Sequence, residues 1–156
     1  MLAAIALGSN LSSPFGPPED NVREAFSRLR ALGTVVATSS LYRTEPVGYL
    51  DQPEFFNAAA LLDTELSPLV LLRELLALEH SFGRDRSANA ISKGPRTLDL
   101  DLLLYGQEVL ADPELTLPHP AMHERRFVLE PLAEIAPDFV HPTLGKTIRE
   151  LLELQT

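Results

Sequence analysis

From Thr97 to Leu102 polar and leucine side chains alternate strictly, and the polar ones after Thr97 are two acids, Asp99 and Asp101. A period of two marks a strand, so Leu98, Leu100 and Leu102 turn into a core while Thr97, Asp99 and Asp101 share the opposite face. Asp is a poor strand former, and two carboxylates on one strand face stand roughly 7 Å apart with like charge. A bound divalent cation would offset both penalties. An edge strand with a merely wet polar face is the alternative, although such faces more commonly carry Thr, Lys or Arg. Mg²⁺ takes one or two carboxylates and completes its octahedron with water and substrate phosphates, so the pair suits one or two Mg²⁺ ions carrying a nucleotide. Just upstream, Gly94-Pro95-Arg96 adds a guanidinium to the same stretch.

The rest of the chain limits the chemistry such a strand can serve. With no cysteine there are no disulfides, thiolate metal sites or cysteine nucleophiles, and catalysis falls to carboxylates, imidazoles, guanidiniums and hydroxyls. At 156 residues and 45% hydrophobic content, one domain over residues 1–156 with a real core is expected. No apolar run is long enough to span a bilayer, and Met1 to Leu7 lacks the basic start of a signal peptide, which leads us to expect a cytoplasmic protein without membrane attachment. The formal charge of −9 argues against a nucleic-acid partner, which requires a basic footprint. A small polyanion remains open because the cations are concentrated. Arg84, Arg86, Lys93 and Arg96 fall in one segment, and Arg125 and Arg126 in another beside His119 and His123; guanidinium forks match phosphate oxygens well.

Read for periodicity, Leu2 to Leu7 is a buried strand closing at Gly8-Ser9-Asn10. After a Pro-rich bend, Glu19 and Asp20 precede apolar residues at helical spacing, and this helix ends near Gly33. Thr34 to Tyr42 reads as a second strand, followed by a long loop to Pro53; Glu54 to Leu62 reads as a third. Ser67 and Pro68 start a leucine-rich helix reaching about Phe82. A polar loop over Gly83 to Lys93 leads into the aspartate strand, Gly106 turns the chain into a short strand at Glu108 to Leu110, and two helices are expected near Phe127 to Ile135 and Thr147 to Leu154. The order βαββαβ predicts an α+β ferredoxin-like sandwich with helices on one face of an antiparallel sheet.

Two further features carry chemistry. Asn57 shares a strand face with Phe55 and is an unusual strand residue; its carboxamide matches the donor and acceptor edge of a flat amino-oxo heterocycle, against which Phe55 could lie. A satisfied structural Asn is the alternative. There is no P-loop and no kinase Gly-rich loop, so arginines and metal must hold any nucleotide. His119, fixed between Pro118 and Pro120, could donate to a phosphate or serve as a packed turn residue.

Five blocks together resemble the 6-hydroxymethyl-7,8-dihydropterin pyrophosphokinase family of folate biosynthesis: Ala6 to Leu11, Tyr42 to Pro46, Asp51 to Ala59, Gly94 to Asp101, and Pro118-His119-Pro120 through Arg125 to Leu129. The resemblance implies transfer of diphosphate from ATP to the pterin hydroxymethyl group with release of AMP. It implies that Asp99 and Asp101 hold two Mg²⁺ ions, and that Arg84 and Arg96 neutralise charge on the phosphates. Arg86, His119 and Arg125 would assist at ATP. Pterin would lie between Phe55 and Phe127, read by Asn57 and by main-chain groups from Thr44 through Pro46 to Val47, beneath a lid at Gly83 to Lys93. Lys93 stands where the family often has Trp, and Ala121 where Arg is common. A monomer acting on small molecules is expected. The competing readings are a metal-dependent nucleotidyltransferase, which would release pyrophosphate, and a non-catalytic ligand-binding module on the same fold, which would show no Mg²⁺-dependent nucleotide binding.

Overall fold

The computed structural model describes residues 1–45, 51–83 and 96–155. Its centre is an antiparallel sheet in which β1 (Leu2–Ser9) lies between β4 (Phe55–Asp63) and β5 (Asp99–Tyr105). Along the far side of β4 run β2 (Thr34–Thr38) and β3 (Tyr42–Thr44), giving the order β2-β4-β1-β5 with β3 also on β4. Helix α1 (Pro18–Arg28) connects β1 to β2, and α2 (Pro68–Ser81) connects β4 to β5. This is the ferredoxin-like arrangement expected from the element order.

Local chemistry accounts for the helix starts. Pro18 occupies the first turn of α1 with Glu19 and Asp20 beside it, where a missing N–H costs nothing and negative charge meets the positive end of the helix dipole. In α2 the Ser67 side chain accepts from the Val70 N–H and Pro68 follows. Beyond the sheet, β6 (Leu110–Ala111) and β7 (Thr116–Leu117) form a small hairpin, and α3 (Arg126–Ile135) and α4 (Ile148–Glu153) complete the chain. The start of α4 is a capping box between Thr147 and Glu150.

Helices cover both faces of the sheet, not one as the sequence suggested. Ile5, Leu7, Leu62 and Leu100 pack with Leu29 and with Leu71 and Leu75 of α2. On the opposite face Ala4, Ala59, Leu61 and Leu104 pack with Leu129 and Leu132 of α3 and with Ile148 and Leu151 of α4. The strands permit this because β1, β4 and β5 are buried along most of their length on both sides. A bulge in β5 contributes: Ala4 faces Leu104 while Ile5 faces Leu102. Leu103 is therefore the extra residue, and the run Leu102-Leu103-Leu104 feeds both cores.

Two strand assignments need correction. Thr34 to Tyr42 is two strands, because the Ser39 hydroxyl takes the Ala59 N–H at 2.8 Å and its own N–H reaches the Ala59 carbonyl, which breaks the regular ladder. The short strand expected at Glu108 to Leu110 starts only at Leu110, since the Glu108 N–H closes a turn onto the Tyr105 carbonyl around Gly106 at φ 55°.

Candidate active site

Three strands bring the sequence's candidates into one row. Gly8 of β1 is paired with Asp99 of β5 on one side and with Asn57 of β4 on the other; two residues along, Ala6 is paired with Asp101 and with Ala59. This is the face of the sheet that α3 covers. Strands lie about 4.8 Å apart, so the Asn57 and Asp99 backbones are separated by about 10 Å with a residue lacking a side chain between them. A Cβ on Gly8 would stand 3.0 Å from Asn57 Oδ1. Glycine inside a strand thus leaves open floor beneath the row and room for the carboxamide.

Asn57 is buried, and its Nδ2 donates to Thr44 Oγ1 at 2.5 Å, which fixes the orientation of the amide. At the other end of the row Arg96 Nη1 donates to Asp99 Oδ2 at 3.2 Å, with both side chains about a fifth exposed (23% and 20%). His119 is seated by its main-chain N–H on the Leu103 carbonyl at 2.9 Å, on the outer edge of β5. Its Nδ1 accepts from the Ala121 N–H at 3.2 Å, so the neutral ring carries its proton on Nε2. Burial first and the nearby Arg125 second hold its pKa below the ordinary imidazole value, against an opposing pull from Asp99. Arg125 lies over the Phe127 ring at 5.8 Å.

A cavity of about 650 Å³ opens over this row, lined by Gly8, Thr44, Phe55, Asn57, Arg96, Asp99, Asp101, His119, Arg125 and Phe127 among others. That size is in the range of small-molecule sites. Arg126 also lines the cavity. Its guanidinium is engaged by Glu130 Oε2 at 3.0 Å and the Gln155 carbonyl at 2.8 Å. Arg84, Arg86, Pro46 and Val47 lie outside the described residues, as does the expected lid beyond Gly83. Among the described residues no three His, Asp or Glu side chains cluster as a metal cage. Asp99 and Asp101 remain a two-carboxylate set, the kind that fits Mg²⁺ brought in with phosphates and water.

Sequence reasoning missed the supports of the site. Buried Asn10 donates through Nδ2 to Gln52 Oε1 and the Pro53 carbonyl, both at 2.9 Å, and its Oδ1 accepts from the Arg96 N–H at 2.8 Å. Ser9 Oγ donates to the Thr97 carbonyl at 2.6 Å, and buried Asn21 of α1 donates to the Leu11 carbonyl at 2.8 Å. The end of β1 therefore ties the loop before β4 to the entry of β5. The only sequence signal was three polar or small residues directly after an apolar strand, which is also how an ordinary turn is built.

The fold and cavity define a class: a ferredoxin-like α+β protein with a cleft lined by paired acids, arginines and two phenylalanines. The profile of the 7,8-dihydro-6-hydroxymethylpterin-pyrophosphokinase (HPPK) family matches residues 4–137, and the chain belongs to that family. It is 46% identical over 156 residues to the 2-amino-4-hydroxy-6-hydroxymethyldihydropteridine pyrophosphokinase of Haemophilus influenzae, covering 97% of this chain and 91% of that one. The enzyme of the same name from Synechocystis is 46% identical over 153 residues, covering 97% and 74%. Among solved structures, the wild-type HPPK-DHPS of Plasmodium falciparum with pteroate superposes with a TM-score of 0.76 at 15% identity. The match covers 98% of this chain but 44% of that one, and it supports the fold alone.

Proposed function

We propose that this chain carries out its family's reaction, moving the β,γ-diphosphate of ATP to the hydroxymethyl group of 6-hydroxymethyl-7,8-dihydropterin. The hydroxyl oxygen bonds to the β-phosphorus, the bond from that phosphorus to the oxygen bridging to the α-phosphate breaks, the hydroxyl proton is released, and AMP leaves. The observation that carries the reading is the Asn57–Gly8–Asp99 row: a heterocycle reader and an acid pair face one cavity across an open glycine floor.

In this reading pterin lies against Phe55 and Phe127, and Asn57, oriented by Thr44, reads its amino-oxo edge. Main-chain groups from Thr44 through Pro46 and Val47 complete that subsite. Asp99 and Asp101 hold two Mg²⁺ ions, which when bound neutralise phosphate charge. Arg96 exchanges its pairing with Asp99 for phosphate oxygens, joined by Arg84 and Arg86. His119 offers Nε2–H from a ring that burial keeps neutral, and Arg125 faces the nucleotide. Among the described residues no helix is long and apolar enough to cross a membrane. Because the reaction draws on ATP, we place it in the cytoplasm, performed by a monomeric single domain on small molecules.

The test is ³¹P NMR of the protein with MgATP and the pterin, beside mixtures lacking pterin or Mg²⁺. AMP and a pterin diphosphate should appear only in the complete mixture. Pyrophosphate release would instead mark a nucleotidyltransferase, and an inert folded protein a binding module.

A further inference from the structure

We propose that Glu79 is a positioning residue that fixes the peptide between the two aspartates, and with it the geometry of the acid pair; the inference rests on the proposed role of Asp99 and Asp101. Glu79 belongs to the last turns of α2 and is 1% exposed. It continues the stripe of Leu71 and Leu75 at intervals of four, where a third apolar side chain would pack without a desolvation cost. A carboxylate kept in that place has to be hydrogen-bonded. Its Oε2 accepts the main-chain N–H of Leu100 at 2.6 Å, short for a bond from an N–H donor.

Leu100 sits between Asp99 and Asp101, and β5 is the edge strand, paired with β1 on one side. The Leu100 side chain enters the α1 and α2 layer, whereas its neighbours project to the cavity. The bond therefore runs from a helix on one face, around the strand edge, to the peptide that aims both carboxylates at the other face. Without it, the buried N–H of this edge residue would be left unpaired, on a strand already bulged at Leu103. Metal-binding carboxylates need placement to within about 0.5 Å, and partners that orient ligands in this way are typically worth about 10–100-fold in affinity or activity.

The test compares Glu79→Gln, which keeps an oxygen at the same reach, with Glu79→Asp, which keeps the charge but falls one methylene short, and with Glu79→Ala. Three readouts are needed: amide exchange at Leu100, Mn²⁺ affinity by EPR with a non-hydrolysable ATP analogue present, and kcat beside the pterin KM. We expect Gln to retain Leu100 protection and stay within about threefold of wild type. Asp and Ala should lose that protection, with Mn²⁺ affinity and kcat falling about 10–100-fold and the pterin KM little changed. If Ala does not fold, the Gln and Asp pair decides. An active Asp variant beside an impaired Gln variant would mean that charge matters and reach does not, which overturns the proposal. So would loss of Leu100 protection with unchanged Mn²⁺ affinity and kcat. In either case wild-type turnover shows that the parent reading stands; a wild type without turnover sinks both.

Discussion

Removing either acid of the Asp99–Asp101 pair should separate activity from stability. Alanine at either position deletes a proposed metal ligand and also relieves like charge on one strand face. We expect kcat to fall at least about a hundredfold, with a thermal midpoint within about 3 °C of wild type; a variant with near-normal turnover contradicts the metal assignment. Asn57→Ala should raise the pterin dissociation constant about 10–100-fold, since its site would be left with unpaired polar groups, while ATP-analogue affinity holds. Gly8→Ala should move pterin affinity in the same direction, because its Cβ would stand 3.0 Å from Asn57 Oδ1. Wild-type pterin affinity in the Gly8→Ala variant would show that the glycine floor is not needed. Asn57 was legible in the sequence as a candidate because an amide inside an apolar strand is unusual, with a satisfied structural Asn as the alternative. Gly8 was not, because Gly-Ser-Asn after a strand is ordinary turn composition, and only the pairing register places Gly8 between Asn57 and Asp99.

At the level of elements, the ties between them matter more than their boundaries. Glu134 of α3 accepts from the Tyr42 hydroxyl at 2.7 Å and from the Ser40 N–H at 3.1 Å, joining that helix to the start of β3, the strand that delivers Thr44 to Asn57. The same bond pushes the Tyr42 phenol up to about 12. Because the clasp is exposed, Glu134→Ala should cost only about 1 kcal/mol in urea unfolding; a loss of several kcal/mol would mean the clasp is structurally central. Elements with a clear start signal or alternation, such as α2 behind Ser67 and Pro68 and the aspartate half of β5, could be read directly. The break at Ser39 could not, since it depends on a hydroxyl reaching the Ala59 N–H across the sheet. Nor could the β6 and β7 pairing, made of two residues on each strand.

For the whole molecule, the two-sided sheet explains both the core and a pH response. Helical periodicity announced α3 and α4, but which face they would cover is a matter of chain path and of the β5 bulge, neither visible in local pattern. Packed there, His141 is buried and its Nδ1 accepts the Leu144 N–H at 3.1 Å. Burial first and His123 second hold its pKa below the ordinary value; His119 is depressed likewise. For a depressed imidazole the unfolded chain takes up the proton first. The stability is therefore whole above about pH 6.5 and is lost as the pH falls towards the folded pKa. Glu134, held low mainly by Tyr42, and Glu150, held low mainly by the Thr147 N–H, contribute stability that is lost below about pH 4.3. The urea midpoint should fall between pH 7.5 and 5, and His141→Asn, whose Oδ1 can replace the Nδ1 acceptor, should flatten that part. A midpoint that rises on acidification would reverse the sign of the argument.

A crystal structure with Mg²⁺, a non-hydrolysable ATP analogue and 6-hydroxymethyl-7,8-dihydropterin would test whether one cavity holds both substrates across the Gly8 row. The pterin edge should lie on Asn57, its ring between Phe55 and Phe127, and the β-phosphate should face its hydroxyl beside metal ions on Asp99 and Asp101. A pterin or nucleotide bound away from that row, or metal ions that leave both aspartates untouched, would contradict this.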